Sequence, residues 1–395
     1  MFLVSILHTS VFKVKEIIIY EAYNKLLKSF ECNKGTNYNS MHKIIHNMYS
    51  EQSVTLRAIF ASVISAGLIL GFSNAFQFPS NTYAQSSPLR VALLTDALFS
   101  DGGWGATAYN ASQTLKEKYG LELTTVENVA IPDIEPTLRD FADQGNDLII
   151  AHGFEWGDPA LRVSADYPDT KFVVFTGLTN SSNVASVFPM QQEGSYVLGA
   201  LAAMMSKTGT IGFVGGQAYP NIINIFEGYK QGARSINPDI KVIGQYIDTF
   251  TDPARGKEAG VSLINNGADF LIHVADLSGQ GVIQAAREKG IYAFGVVADQ
   301  HNLAPDTVLT SFVLDMEKAF DGAIKMVQNG NFSGQLYKPG LESAKGASGD
   351  GIVFIAPFYN LDSKVPTDVK QRLNQIVQDI VSGKIVVPER TEASS

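Results

Sequence analysis

The most constraining feature of this sequence is one pattern written twice. From Arg90 a short apolar run (RVALLTD) leads through a glycine-containing loop into a helical stretch (ATAYNASQTLKEKYG). LELTTVEN, IEPTLRDFADQGN, DLIIAHG, DPALRVSADYPDT and KFVVFTG follow as strand, helix, strand, helix and strand. From Thr210 the series repeats: TIGFVGG, NIINIFEGYKQGARSINPD, IKVIGQYI, DPARGKEAGVSLINNGA, DFLIHVA, GQGVIQAAREKG and IYAFGVV. FADQGNDLIIAHG and LINNGADFLIHVA echo each other most closely. The strands are unbroken apolar runs, the pattern of strands covered on both faces. The helices stop at Gly or Asn. Strand–helix alternation implies right-handed βαβ units and parallel sheets. Two copies imply two α/β lobes, with the loops after the strands facing each other across a cleft. TVLTSFVLDMEKAFDGAIKMVQNG adds one more strand and helix.

The segment before Pro88 reads differently. Arg57 precedes an apolar run from Ala58 to Phe72, short for a membrane span of about 20 residues but suited to a signal-peptide core of roughly 7–15. Thr82-Tyr83-Ala84 is the expected cleavage site, leaving Gln85 first, with Ser73-Asn74-Ala75 the weaker alternative. A start at Met41 or Met48 places this core where export signals lie. The only cysteine, Cys32, precedes the core, which excludes lipidation at a lipobox Cys as well as an internal disulfide and a cysteine-based zinc site. The expected location is therefore extracytoplasmic, with the protein either released or anchored in the membrane by an uncleaved helix. Three Asn-x-Ser sequons, at Asn110, Asn180 and Asn331, are compatible with export. With a net charge of −9 there is no basic excess for nucleic acid.

Five loops after strands should carry the function: SDGGWG, HGFEWGDP, GGQAYPNIINIF, ADLSGQG and VVADQHN. They offer Asp101, Trp104, Phe154, Trp156, Asp158, Tyr219, Asn221, Phe226, Asp276, Ser278, Gly279, Gln280 and Asp299. Both tryptophans of the chain are in this set, which suits a flat, hydrogen-bonding ligand stacked on aromatic rings. The first loop admits three readings. As a phosphate cradle it is weak: GGWG is not a P-loop and holds no Lys or Arg. As a catalytic site, Asp101, Asp158 and Asp299 offer an acid and a base for glycosidic hydrolysis, without an activated nucleophile. As a clamp, it combines a stacking ring with an acceptor. Each residue also has a packing role available. Asp101 is placed to cap the next helix, and Phe226 in mid-helix is a core residue by default.

At these residues the chain resembles the basic membrane protein family of solute-binding proteins, which serve ABC transporters and include purine-nucleoside receptors. The resemblance runs from about Arg90 to Pro357. It rests on DGGWGATAYNA, FADQGNDLIIAHGFEWGDPALRVSADYPDTKF, VFPMQQEGSYVLGALAAMMSKTGTIGFVGG, NIFEGYKQGARSINPDIKV, NNGADFLIHVADLSGQGVIQAAREKG and LTSFVLDMEKAF, in that order. It implies a periplasmic-binding-protein-like type I fold, two Rossmann-like lobes with a hinge. The implied lobes are 88–189 with 306–333, and 190–305 with 334–395, after an extension over 1–87. It implies a base held between Trp104 and Phe226, with Asp101, Asp158, Ser278, Gly279 and Asp299 as further contacts beside Phe154. It also implies a membrane permease as partner, a monomer, no cofactor and no chemistry. The same receptor for another small polar solute, a surface sensor and a nucleoside hydrolase are the alternatives. Two positions depart from the nucleoside class: Val297 stands where an Asp is common and Leu314 where a Lys is common. Both losses favour a free base over a ribose-bearing ligand.

Overall fold

The computed structural model describes residues 87–342 and 351–392. The signal core at 58–72, its cleavage sites and the alternative starts lie outside the described residues.

The doubled pattern folds into two six-stranded sheets. The first contains β1 (Arg90–Thr95), β2 (Glu122–Val126), β3 (Leu148–His152), β4 (Lys171–Phe175) and β5 (Val184–Val187), completed by β11 (Leu336–Tyr337). Its order is β11-β5-β4-β3-β1-β2 and every pair is parallel. The second contains β6 (Thr210–Gly215), β7 (Lys241–Tyr246), β8 (Phe270–Val274), β9 (Tyr292–Val297) and β10 (Val308–Leu314), completed by β12 (Val353–Ile355). Its order, β12-β10-β9-β8-β6-β7, repeats the first, except that β12 runs antiparallel to β10. Central strands such as β3 and β8 are buried along their whole length, as their unbroken apolar runs require. The edge strands β2 and β7 are partly exposed.

Nine helices are described: α1 (Trp104–Tyr119), α2 (Ile134–Asp143), α3 (Gly157–Ser164), α4 (Gln191–Met205), α5 (Pro220–Ile236), α6 (Pro253–Asn265), α7 (Asp276–Lys289), α8 (Met316–Gln328) and α9 (Thr367–Val381). Their ends follow local chemistry. The Asp252 carboxylate accepts from the Ala254 and Arg255 amides and starts α6. Gly120 ends α1 at φ 64°, and its amide reaches back to the Lys116 carbonyl.

The chain crosses between lobes three times. The first crossing joins β5 to α4. The other two differ from the boundaries at 306 and 334. β10 pairs with β9 in the second sheet (Phe312 opposite Val296), so the crossing follows it at Asp315. α8 then returns to the first lobe, where its Asp321 carboxylate accepts from Lys118 Nζ and the Tyr119 hydroxyl, each at 2.7 Å. β11 pairs with β5 (Leu336 opposite Ser186), so the last crossing comes after it and before β12. Strand partners are chosen by long-range register, which local periodicity does not encode.

α4 and α5 cross almost backbone to backbone in the second lobe. A Cβ on Gly199 would lie 2.1 Å from the Tyr229 carbonyl, and one on Gly228 2.4 Å from the Gln192 carbonyl. The stretch QQEGSYVLGALAAMM is thus a packing signature. Ser195 Oγ also donates to the Ile225 carbonyl at 2.7 Å, and Asn224 Nδ2 donates to Gln192 Oε1 at 2.9 Å.

Candidate functional site

In each sheet the chain winds one way from the first strand and the other way from the third. The crevice at this reversal, beyond the carboxyl ends of the strands, is where open α/β sheets bind ligands. The reversal lies between β1 and β3 in one lobe and between β6 and β8 in the other. Each of these four strands is followed by a loop that reaches an interlobe cavity: Asp96 and Trp104 after β1, Phe154 and Glu155 after β3, Tyr219 and Asn221 after β6, Asp276 after β8.

The inner cavity has a volume of about 50 Å³. That is several times the roughly 10–15 Å³ needed by one water, and below the ~300 Å³ of the smaller drug-sized pockets. Trp104, Phe154, Tyr219 and Phe250 give it aromatic walls, and Ile222, Ile225, Val274, Val296 and Val297 aliphatic ones. A second space of about 400 Å³ adjoins it. Asp96, Glu155, Tyr219, Phe250 and Asp276 line both and therefore form the partition between vestibule and cavity.

Trp104 lies flat on His152, with ring centroids 3.8 Å apart and planes at 19°. His152 Nε2 donates to the Trp104 carbonyl at 3.1 Å, so ring and backbone are held together. Burial pushes His152 down to about 3, so this imidazole is neutral and packs as an aromatic. Its counterpart His273 is likewise lowered by burial, to about 4, and donates from Nε2 to Gln300 Oε1 at 3.0 Å.

Gln300 is 2% exposed and ties the two lobes together. Its Oε1 also accepts the Val296 amide at 3.0 Å, and its Nε2 reaches the Gly102 carbonyl at 3.4 Å. Gln280 Nε2 donates to the neighbouring Asp101 carbonyl at 2.8 Å. These bonds run from the second lobe to the first loop of the first, and they describe a closed cleft.

The acids of the partition are held in an unusual state. Burial raises Asp96, with hydrogen bonds from its own backbone and from Trp156 pulling back. Glu155 is pushed up to about 7, first by burial and then by the charge of Asp96, while the Tyr219 hydroxyl favours its ionised form. Asp276 is raised well above the usual carboxylate range by burial and by Asp101, Asp96 and Glu155. Among the described residues, no set of three or more His, Cys, Asp or Glu is arranged to hold a metal ion.

The backbone is strained around the cavity. Thr176, Val297 and Asp276 have φ of 65°, 66° and 43°, a region that costs non-glycine residues about 1–3 kcal/mol each. Thr176 follows β4 and Val297 ends β9, equivalent places in the two lobes. The internal repeat therefore extends to its distortions.

The expected site residues divide. Trp104 and Phe154 line the inner cavity, and Asp101 lines the vestibule. The Asp101 carboxylate, 1% exposed, accepts from the Gly103, Gly105 and Ala106 amides at 2.8, 2.7 and 3.0 Å. It organises the turn into α1. Asp101→Ala leaves three donors without that acceptor and is expected to lower stability by about 1–2 kcal/mol in thermal unfolding.

Of the remaining loop candidates, Tyr219, Asn221 and Asp276 line the inner cavity and the others do not. Phe226 stacks on Phe213, centroids 4.3 Å apart, with Lys230 Nζ 4.6 Å from its ring centre, and its ring fills the space beside Gly244. Ser278 is buried, donating to the Thr249 carbonyl at 3.4 Å and accepting from the Asp252 amide at 2.8 Å. Gly279 is packed against His273: a Cβ there would lie 1.9 Å from Nδ1. Asp158 is exposed on the first turn of α3. Asp299 takes the Tyr359 hydroxyl and the His301 amide, and lines a separate space. Trp156 is fully buried, with Nε1 directed to Asp96 Oδ1 at 3.3 Å. Of the two departures from the nucleoside class, Val297 lines the inner cavity and Leu314 does not.

Sequence reasoning missed Asp96, Glu155, Thr176, Gln191, His273 and Gln300 as parts of this site. A signal existed for Asp96, which follows β1 at the place that Asp276 occupies near β8.

The chain matches the family model described as ABC transporter substrate-binding protein, PnrA-like, over residues 89–391. It belongs to this family. It is 33% identical to a purine-binding protein of Brucella abortus over 288 residues, covering 72% of this chain and 79% of that one. It is 30% identical to basic membrane protein A of Borreliella afzelii over 316 residues, covering 77% and 93%. The fold is shared with an ABC-transporter solute-binding protein from Aeropyrum pernix K1, with a TM-score of 0.70 at 22% identity, covering 77% of this chain and 94% of that one. The chain is thus the extracytoplasmic solute-binding component of an ABC importer, handing its solute to a membrane permease. It is a binding protein and not an enzyme. Among the described residues no helix is long and apolar enough to cross a membrane.

Proposed function

We propose that the solute is a purine base or its nucleoside, with the base lying on the cavity face of Trp104. The observation that carries this reading is the stack itself. His152 covers one face of the indole, and Trp104 also lines the interlobe cavity at the strand-reversal point. Ile222 and Ile225 supply apolar surface from the other lobe, in the role expected of Phe226. Phe154, 5.9 Å from Tyr219 between centroids, closes the side. The name of the Brucella relative, a purine-binding protein, supports the same class. Val297 in the cavity wall favours the free base, since it offers a ribose hydroxyl no partner. A nucleoside would place its sugar toward the vestibule.

Capture works by closure. A ligand touching both lobes favours the closed state by its differential affinity for it. The protein acts as a monomer, presenting the closed form to its permease. A thermal-shift screen of bases, nucleosides and sugars tests the class. At a ligand concentration of about 100 Kd a true solute adds about 2.7 kcal/mol to stability. A screen in which only sugars raise the melting temperature would sink the purine reading.

A further inference from the structure

Three carboxyl groups converge on the inner cavity. Asp96, Glu155 and Asp276 enter it from both lobes, and neither Lys nor Arg lines it. Among the described residues, no hydrogen bond reaches the Asp276 carboxyl group, so its oxygens are open to a donor. Asn221, also in the wall, has a buried Oδ1 without a partner among the described residues. Two nearby donors are used elsewhere: the Thr176 hydroxyl donates to the Phe175 carbonyl at 2.6 Å, and Gln300 Nε2 to the Gly102 carbonyl, which leaves the Trp104 indole and the Gln191 and Asn221 amides as side-chain donors of the wall. The carboxyl groups from both lobes and the Asn221 carbonyl therefore leave acceptor sites open toward the solute.

We propose that this cleft reads its solute by N–H donors, which bridge Glu155 of the first lobe and Asp276 of the second, and so selects amino-bearing heterocycles over isosteres that only accept. The inference rests on the proposed purine class and adds the edge by which the ring is recognised. Bridging also favours closure, because donors shared by Glu155 and Asp276 join the two lobes.

A pH dependence follows. Glu155 faces Asp96 from the loop after β1, Tyr219 from the loop before α5 and Asp276 from the start of α7. In the empty closed cleft it holds its proton to about pH 7. Bound N–H donors favour the ionised form, so binding releases a proton and tightens as pH rises toward 7, then levels off.

Calorimetry with purine, adenine and 2,6-diaminopurine tests this, because the series adds amino groups to one ring. Each amino group that meets a carboxylate is expected to raise affinity by about tenfold or more. The affinity for 2,6-diaminopurine should rise from pH 6 to pH 7, and Glu155→Gln, checked for folding by thermal unfolding, should flatten that rise. Equal affinities across the series, purine binding tightest, or affinity falling as pH rises would overturn the inference while leaving the purine class standing. So would nucleosides binding far more tightly than bases regardless of amino groups. If no purine binds, the purine class fails, and pyrimidine, cytosine and 2,4-diaminopyrimidine are compared instead. The same rise with amino groups supports donor reading, and its absence overturns it.

Discussion

Trp104→Ala is expected to reduce solute affinity by about 10–100-fold, the effect of removing a stacking platform worth roughly 1–3 kcal/mol per base. The mutant should still fold, because the loop that carries the indole is organised independently by the Asp101 carboxylate on the Gly103, Gly105 and Ala106 amides. Removing the ring also uncovers His152, whose neutral imidazole then meets solvent and gains in basicity. Trp104→Phe retains a stacking face and should recover most of the affinity. Titration calorimetry on the three proteins, with the tightest ligand from the thermal screen, provides the measurement. Unchanged affinity in Trp104→Ala would remove this residue from the binding site. Phe226→Leu is the contrasting variant: that ring packs on Phe213 inside the second lobe, so its loss should lower stability and leave affinity nearly unchanged.

The largest expected effect on stability comes from Gly232→Ala. A Cβ at this position would lie 1.9 Å from the Tyr196 carbonyl oxygen, 2.6 Å from its carbon and 2.8 Å from its Cα. All three atoms belong to the backbone of α4, so no side chain can turn aside. The helices must separate, and the contacts at Gly199 and Gly228 separate with them. Overpacking of this kind costs about 1–3 kcal/mol or more, against a gain of up to about 1 kcal/mol from replacing a helical glycine. A net loss of about 2 kcal/mol should lower the melting temperature by roughly 4–8 °C. Gly322→Ala is the control. That glycine lies within α8, where a Cβ would meet nothing within 4 Å, so the same substitution should stabilise slightly. α4 also carries Gln191 into the cavity wall, so Gly232→Ala should weaken solute capture as well.

The contrast between Trp104 and Phe226 illustrates how far the candidate site was legible. Both are aromatic, both lie at the start of or within a helix after a first strand, and resemblance paired them. Trp104 reaches the cavity because its loop turns it onto His152. Phe226 does not, because glycine at position 244 leaves a recess on β7 that its ring fills. Neither neighbour is near in sequence. Ser278 and Gly279 show a related limit. Small residues at a cleft loop suggest close ligand approach, yet here they admit the Asp252 turn and the His273 ring. Asp101 had three readings in sequence, catalytic acid, ligand contact and helix cap, and three backbone amides now rest on its carboxylate, as a cap requires.

What the sequence determined by itself was the architecture: two α/β lobes built on parallel strands and the loops that face the cleft. Strand and helix periods, glycine stops and loop composition are local quantities, and they survive in any register. Tertiary structure decided which sheet β10 and β11 join, where the chain crosses between lobes, and which loop side chains meet. It also brought Asp96, Glu155 and Asp276 to one partition from three separate loops. Their shared burial and mutual repulsion arise only when both lobes close on the same small volume, and no single segment of the chain contains that interaction.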